Sequence, residues 1–274
     1  RQGIEFEWID SREPANVDKH IRPNTKLIHV ETPTNPLLEL CDLEETAKVC
    51  KKHHVLMGVD NTFMSPYGQR PIEMGVDIVM HSSTKSLSGH SDILGGVLIT
   101  NNDELAEKLQ FMQKATGAVP SPFDCWLILR STKTLGLRYQ KAADNANVLA
   151  WWLAKQKKLD RVIYPGLKSH PQYDIAVKQQ RTPNGDVIFG NMISIDIGSI
   201  EARDRFIKKL EIFTLAESLG GVESLVCAPY NMTHAAVPEK TKLEMGITET
   251  LVRLSIGIED VDDLKTDLKN ALAN

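Results

Sequence analysis

Lys85 is the residue of this 274-residue chain whose setting most suggests chemistry. It follows Val76-Asp77-Ile78-Val79-Met80, a short apolar run rich in β-branched side chains, with the hydroxyls of Ser82 and Thr84 just ahead of it. A second such run, Val55-Leu56-Met57-Gly58-Val59, delivers Asp60. Parallel sheets of α/β proteins gather their ligands at the carboxyl ends of strands like these. An amine and an acid at neighbouring strand ends, beside two hydroxyls able to hold an anion, match what pyridoxal phosphate (PLP) requires. That cofactor needs a Schiff-base lysine, a partner for its pyridinium nitrogen and a phosphate cradle. Taken singly, each residue has a plainer reading. A lysine after a strand is usually a solvated charge, Asp60 before Asn61 and Thr62 fits a turn or a helix cap, and Ser82 or Thr84 would serve to cap the next segment. Their convergence on one sheet edge is what favours the cofactor.

The elements that must place these residues read as strands alternating with helices, which predicts a mainly parallel sheet covered on both faces. Ile4, Phe6 and Trp8 alternate with Glu5 and Glu7 as an opening strand, and 26–31 reads as the next. Asp42, with Glu45 three residues on, starts a helix that carries Leu43, Ala47 and Cys50 on one face. Strands follow over 55–60, 76–81 and 95–100. A helix over 103–114 aligns Leu105, Leu109 and Met112, Gly117 ends it, and Pro120 and Pro122 mark a bend. Helix breakers are few from Asp124 to Lys155, so long helices lead out of a first domain near Thr134. Beyond it Ile193, Ile195 and Ile197 alternate with Ser194 and Asp196, and Val252, Leu254 and Ile256 alternate with Arg253 and Ser255. Both patterns predict strands with one covered face. Helices over 200–210 and 260–272 complete a smaller α/β unit.

Composition narrows the partners. A 42% hydrophobic content over this length suffices for one large or two modest domains. The net charge of −4 and the lack of a basic run argue against nucleic acid. No apolar stretch approaches a membrane span, and the charged opening Arg1-Gln2-Gly3-Ile4-Glu5 does not read as a signal peptide, so the cytoplasm is the expected compartment. Cys41, Cys50, Cys125 and Cys227 lack metal-type spacing and are expected to be reduced structural thiols. No HExxH pattern occurs, and no metal is expected.

Ordered motifs carry a resemblance across most of the chain. Val59-Asp60-Asn61-Thr62-Phe63, Ser82-Ser83-Thr84-Lys85 and Gly89-His90-Ser91-Asp92 resemble the PLP enzymes of cysteine and methionine metabolism, as do Glu31-Thr32-Pro33-Thr34-Asn35-Pro36, Leu215 to Gly221 and Leu251 to Gly257. That resemblance implies an α/β fold of the PLP-dependent transferase kind, aspartate aminotransferase-like, fold type I. Residues 1–134 would form part of the PLP-binding large domain, and 135–274 a smaller C-terminal α/β domain beginning with a long linking helix. Family members carry roughly a third of a chain more upstream, which supplies a glycine-containing phosphate loop, a ring stacked on the cofactor and residues that reach a neighbouring subunit.

The resemblance also implies roles. Lys85 would hold PLP and move the Cα proton, Asp60 would pair with the pyridine nitrogen, and Ser82 and Thr84 would contact the phosphate. Thr62 would lie beside the ring and Asn35 near the phenolic oxygen and the substrate. Arg253 would bind the substrate α-carboxylate in fork geometry, assisted by Ser218, and Glu217 would receive a distal ammonium. The segments Asp60 to Tyr67, Ala118 to Pro122 and Val162 to Leu167 are most similar to members that split L-cystathionine by γ-elimination into L-cysteine, 2-oxobutanoate and ammonia. Two other readings stay open: joining of cysteine to an activated homoserine ester, and a nonenzymatic α/β remnant or subunit without a complete site. A homotetramer built from dimers with shared sites is the expected assembly, with a small sulfur amino acid as substrate.

Overall fold

Short β-branched runs and capped amphipathic helices alternate along the computed structural model, which describes residues 3–273. The first two residues of the charged opening, Arg1 and Gln2, lie outside the described residues. In chain order the elements are α1 (Pro14–His20), β1 (Leu27–Glu31), α2 (Leu43–Lys52), β2 (Leu56–Asp60), α3 (Ser65–Gly68), β3 (Ile78–Ser82), β4 (Gly96–Ile99), α4 (Asp103–Thr116), α5 (Pro122–Thr132) and α6 (Leu135–Leu153). They continue with β5 (Arg161–Ile163), α7 (Tyr173–Gln179), β6 (Met192–Asp196), α8 (Ile200–Lys209), β7 (Thr214–Leu215), β8 (Leu225–Cys227), α9 (Glu239–Glu244), β9 (Leu251–Ser255) and α10 (Val261–Leu272).

The first sheet runs β1-β2-β3-β4, with β1, β2 and β3 parallel and β4 antiparallel to β3. Its register sets Glu31 opposite Asp60 and Asp60 opposite Met80, so the strand ends that carry the acids lie together. The helix expected after Asp42 covers one face: the Asp42 carboxylate accepts from Glu45 N at 3.2 Å, and Leu43, Ala47 and Cys50 pack with Val30, Met57, Val59 and Val79. Such a cap is worth about 1 kcal/mol.

Two expectations for this half need correction, and a third element forms without burial. Residues 4–8 form no strand; Ile4, Phe6 and Trp8 are exposed, Trp8 by 90%, because no described strand lies alongside to complete a ladder. The sheet is not fully covered on both faces either: Leu27, Leu98 and Ile99 stay exposed. The helix over 103–114 does form, ended by Gly117 at φ +71°, but Leu105, Leu109 and Met112 bury nothing fully.

The second sheet runs β5-β6-β9-β8-β7, antiparallel except for β7 on β8. Ile193, Ile195, Val252 and Leu254 meet Leu149 and Leu153 of α6, Phe206 of α8, and Leu264 and Leu268 of α10. Full burial of each such side chain contributes about 1.5–3 kcal/mol. Here too the sequence reading fell short. Every residue of β6 and β9 is buried, not one face alone. The second face is covered by the loop after β1, where Ser194 Oγ donates to Pro36 O at 2.6 Å. That contact joins segments 158 positions apart and brings Arg253 against the first sheet's loops.

Candidate active site

Strand β2 ends at Asp60, whose Oδ1 accepts from Thr62 N at 2.9 Å and turns the chain away from the sheet. Thr62 Oγ1 in turn accepts from Ser82 N at 2.8 Å, fastening the end of β2 to the end of β3. From there the chain makes a wide π-type turn over Ser83–Leu87, in which Lys85 leaves helical backbone (φ −92°, ψ −133°). Thr84 Oγ1 accepts from Gly95 N at 3.0 Å and ties this turn to the start of β4.

The lysine turn is held from both sides. From α6, Arg138 donates to Ser86 O at 2.9 Å, Leu87 O at 3.2 Å and Ser131 O at 2.9 Å. Gly89, at φ +69°, is required there, because a Cβ would stand 1.9 Å from Arg138 Nη1. Opposite, Gly220 packs so closely that a Cβ would come within 2.8 Å of Ser86 Oγ. Lys85 Nζ donates to Ser218 Oγ at 3.3 Å. Burial first, then the charge of Arg253, lowers its pKa below the usual lysine value, which favours the neutral, nucleophilic amine.

Arg253 is 1% exposed, far from the solvated arginine that an alternating strand suggests. Its Nη1 donates to Asn35 Oδ1 at 2.9 Å, and its Nη2 to Glu217 O at 2.9 Å and Ser218 O at 3.0 Å. These acceptors are all neutral, and the buried Nε has no partner. A buried guanidinium in that state has capacity for an incoming anion; burial accordingly lowers its pKa.

A cleft of about 920 Å³ opens over these groups, lined by Asn35, Thr84, Lys85, Glu217, Ser218 and Arg253. Six of the expected site residues thus share one cavity. Asp60, Thr62 and Ser82 stand at the adjoining strand ends rather than in its lining. Glu217 is exposed at its rim. The sequence reading missed three residues. Glu31 is a carboxyl at the end of β1, and the strand-end rule that found Asp60 would have found it. Arg138 and His234 gave no signal, because only the tertiary fold brings α6 and the 228–238 loop to the site. Burial and then Arg253 lower the His234 pKa.

The residues fit PLP: a lysine of lowered proton affinity in an open cleft, an acid at the neighbouring strand end, the hydroxyl residues Ser82 and Thr84 beside the lysine, and an orphaned Arg253 Nε. Fold and site together define a PLP-dependent enzyme of fold type I. The chain belongs to the Cys/Met metabolism PLP-dependent enzyme family, whose family model matches residues 1–273. It is 48% identical over 274 residues to cystathionine gamma-lyase of Bacillus subtilis, covering 100% of this chain and 71% of that protein. Identity to cystathionine beta-lyase of Coxiella burnetii is 45% over 272 residues, covering 98% of this chain and 69% of that one. The crystal structure of cystathionine gamma-lyase from Lactobacillus plantarum complexed with L-serine matches at a TM-score of 0.94 and 41% identity, over 98% of this chain and 69% of that chain. This chain therefore spans about seven tenths of the length of these relatives.

Proposed function

We propose that this chain acts in the γ-elimination of L-cystathionine, giving L-cysteine, 2-oxobutanoate and ammonia with one water consumed. The observation that carries this reading is the Lys85, Ser218 and Arg253 cluster, in which a buried arginine holds the Ser218 carbonyl while that residue's hydroxyl meets the lysine amine. When bound, PLP supplies an electron sink for the carbanion chemistry. Lys85 would hold it, and its amine of lowered proton affinity would take the Cα proton and shuttle protons at Cβ. Asp60 would pair with the pyridine nitrogen, Ser82 and Thr84 would hold the phosphate, Thr62 would sit beside the ring, and Asn35 would serve the phenolic oxygen. Arg253 binds the α-carboxylate, its buried Nε being the guanidinium nitrogen left without a partner. Glu217, on the rim, receives the distal ammonium, and this acid supports the γ reading.

A second reading, β-elimination to homocysteine, pyruvate and ammonia, is supported by the cystathionine beta-lyase name of a relative at 45% identity. Product analysis separates them. Cystathionine should yield 2-oxobutanoate; pyruvate as the main keto acid would decide for the β reading, and faster cystathionine formation from cysteine and an activated homoserine ester would decide for synthesis.

We infer that the chain works as a homo-oligomer, a tetramer built from two dimers by family likeness. The exposed Phe111 and Met112 of α4 and Phe123, Trp126 and Leu129 of α5 support this, as apolar surface that a second copy would cover. Free Cys41, Cys50, Cys125 and Cys227 support a reducing compartment, the cytoplasm. No helix among the described residues is long and apolar enough to cross a membrane.

A further inference from the structure

Glu31 is a titratable group within the candidate site for which the mechanism above has no use. It ends β1 directly opposite Asp60 in the parallel register, and side chains paired in register share a face of the sheet. Its Oε2 accepts from Asn35 N at 3.3 Å, while the Asn35 side chain accepts from Arg253 Nη1 at 2.9 Å. One asparagine thus bridges a half-buried acid and a fully buried guanidinium. Neither charge has an ion-pair partner in direct contact among the described residues; Glu31 meets a backbone amide and Arg253 meets neutral oxygens. In such a neighbourhood the charge state of each group depends on the others.

We propose that Glu31 takes up a proton from solvent when an amino-acid carboxylate docks on Arg253. This rests on the reading of Arg253 as the carboxylate site. Before docking, the positive Arg253 favours the ionised Glu31, and the negative Asp60 opposes it. Docking adds a second anion to the guanidinium and cancels much of that support, so the acid shares its pocket with Asp60 and a substrate carboxylate. Three neighbouring anions in a poorly solvated pocket are costly, and protonating Glu31 relieves the repulsion. Glu31 is poised for this, since burial raises its pKa to about 7. The proton offsets the charge that the docked carboxylate brings, so the net charge of the site is the same before and after docking.

Other groups also feel Arg253: Lys85 in the turn after β3, Cys227 on β8 and His234 on the following loop. The test therefore has to assign the proton. Sodium propionate, a carboxylate without an amine, serves as the probe on the cofactor-loaded protein. Calorimetric titration near pH 7.5 in two buffers of different ionisation heat measures net proton uptake. A tenfold rise in Glu31 proton affinity, read midway between the two midpoints, corresponds to about half a proton per chain. The expected result is that uptake in the wild type, falling to near zero in Glu31→Gln, which still binds propionate. The carbon-13 carboxyl signal of Glu31 in labelled wild-type protein gives the same information without a substitution, as an upward shift of its titration midpoint on adding propionate. Binding without proton uptake, uptake that persists in Glu31→Gln, or an unmoved Glu31 midpoint overturns the proposal and leaves Arg253 as the docking site. Failure of propionate to bind at all overturns both.

Discussion

Every residue of β4 is exposed and every residue of β9 is buried, although both are short apolar strands in sheets of similar size. Their helices differ in the same way. No residue of α4 is buried, whereas α10 buries Leu264, Asp267, Leu268 and Ala271. An apolar pattern states which face of an element needs cover but not what supplies it. In the second unit the chain supplies it on both faces, from α6, α8 and α10 on one and from the loop after β1 on the other. That second cover is what buries Arg253 and turns an outward-pattern arginine into a site residue. In the first unit the β4, α4 and α5 surfaces keep their apolar side chains exposed, which is where the proposed oligomer contact falls.

Substitutions that separate the two units sharpen this contrast. Leu254→Ala, in the core of the second sheet, should cost about 2–5 kcal/mol by denaturant unfolding, whereas Leu98→Ala on exposed β4 should stay within about 0.5 kcal/mol. Equal costs would break the comparison. His81 shows that the first sheet also has a buried part: burial lowers its pKa to about 4. A histidine held neutral by the fold contributes stability that is present above pH 6.5 and lost as pH falls toward 4, at up to about 1.4 kcal/mol per pH unit. Unfolding measured across that window should slope accordingly, and His81→Gln should flatten the slope. Arg253→Lys keeps the charge but loses the fork, so catalytic efficiency with cystathionine should fall about ten- to hundredfold; an unchanged value would return Arg253 to a structural role. Glu217→Ala should reduce cystathionine cleavage by about fivefold or more, corresponding to about 1 kcal/mol, and spare amino acids without a distal ammonium. Uniform loss across substrates would count against the rim acid. The smallest effect on the fold should come from Trp126→Ser on α5, which should leave the melting of the separated chain nearly unchanged while moving sedimentation toward smaller species.

Much of the site was legible because strand ends are legible. Runs such as Val55 to Val59 and Val76 to Met80 are short, apolar and followed at once by polar residues, so Asp60 and Lys85 announce their place from local sequence alone. Asp42 with Glu45 and Gly117 likewise mark helix ends through bonds made within a few residues. What was not legible depends on distant partners. The alternation of Ile4, Phe6 and Trp8 has the period of a strand, yet no described strand lies beside it. Arg253 alternates with apolar neighbours as a solvent-facing residue would, and only contacts with Asn35 and Glu217, 218 and 36 positions away, reveal its burial. Arg138 grips the lysine turn across 52 positions, with nothing in its own segment to mark it.

The central claim is that Lys85 is the residue that carries PLP. Borohydride reduction of the cofactor-loaded protein, followed by digestion and peptide mass analysis, tests it directly. The reduced cofactor should be found on the peptide containing Lys85 and at that lysine. An adduct on another lysine, or none on folded protein that holds the cofactor, would contradict the account.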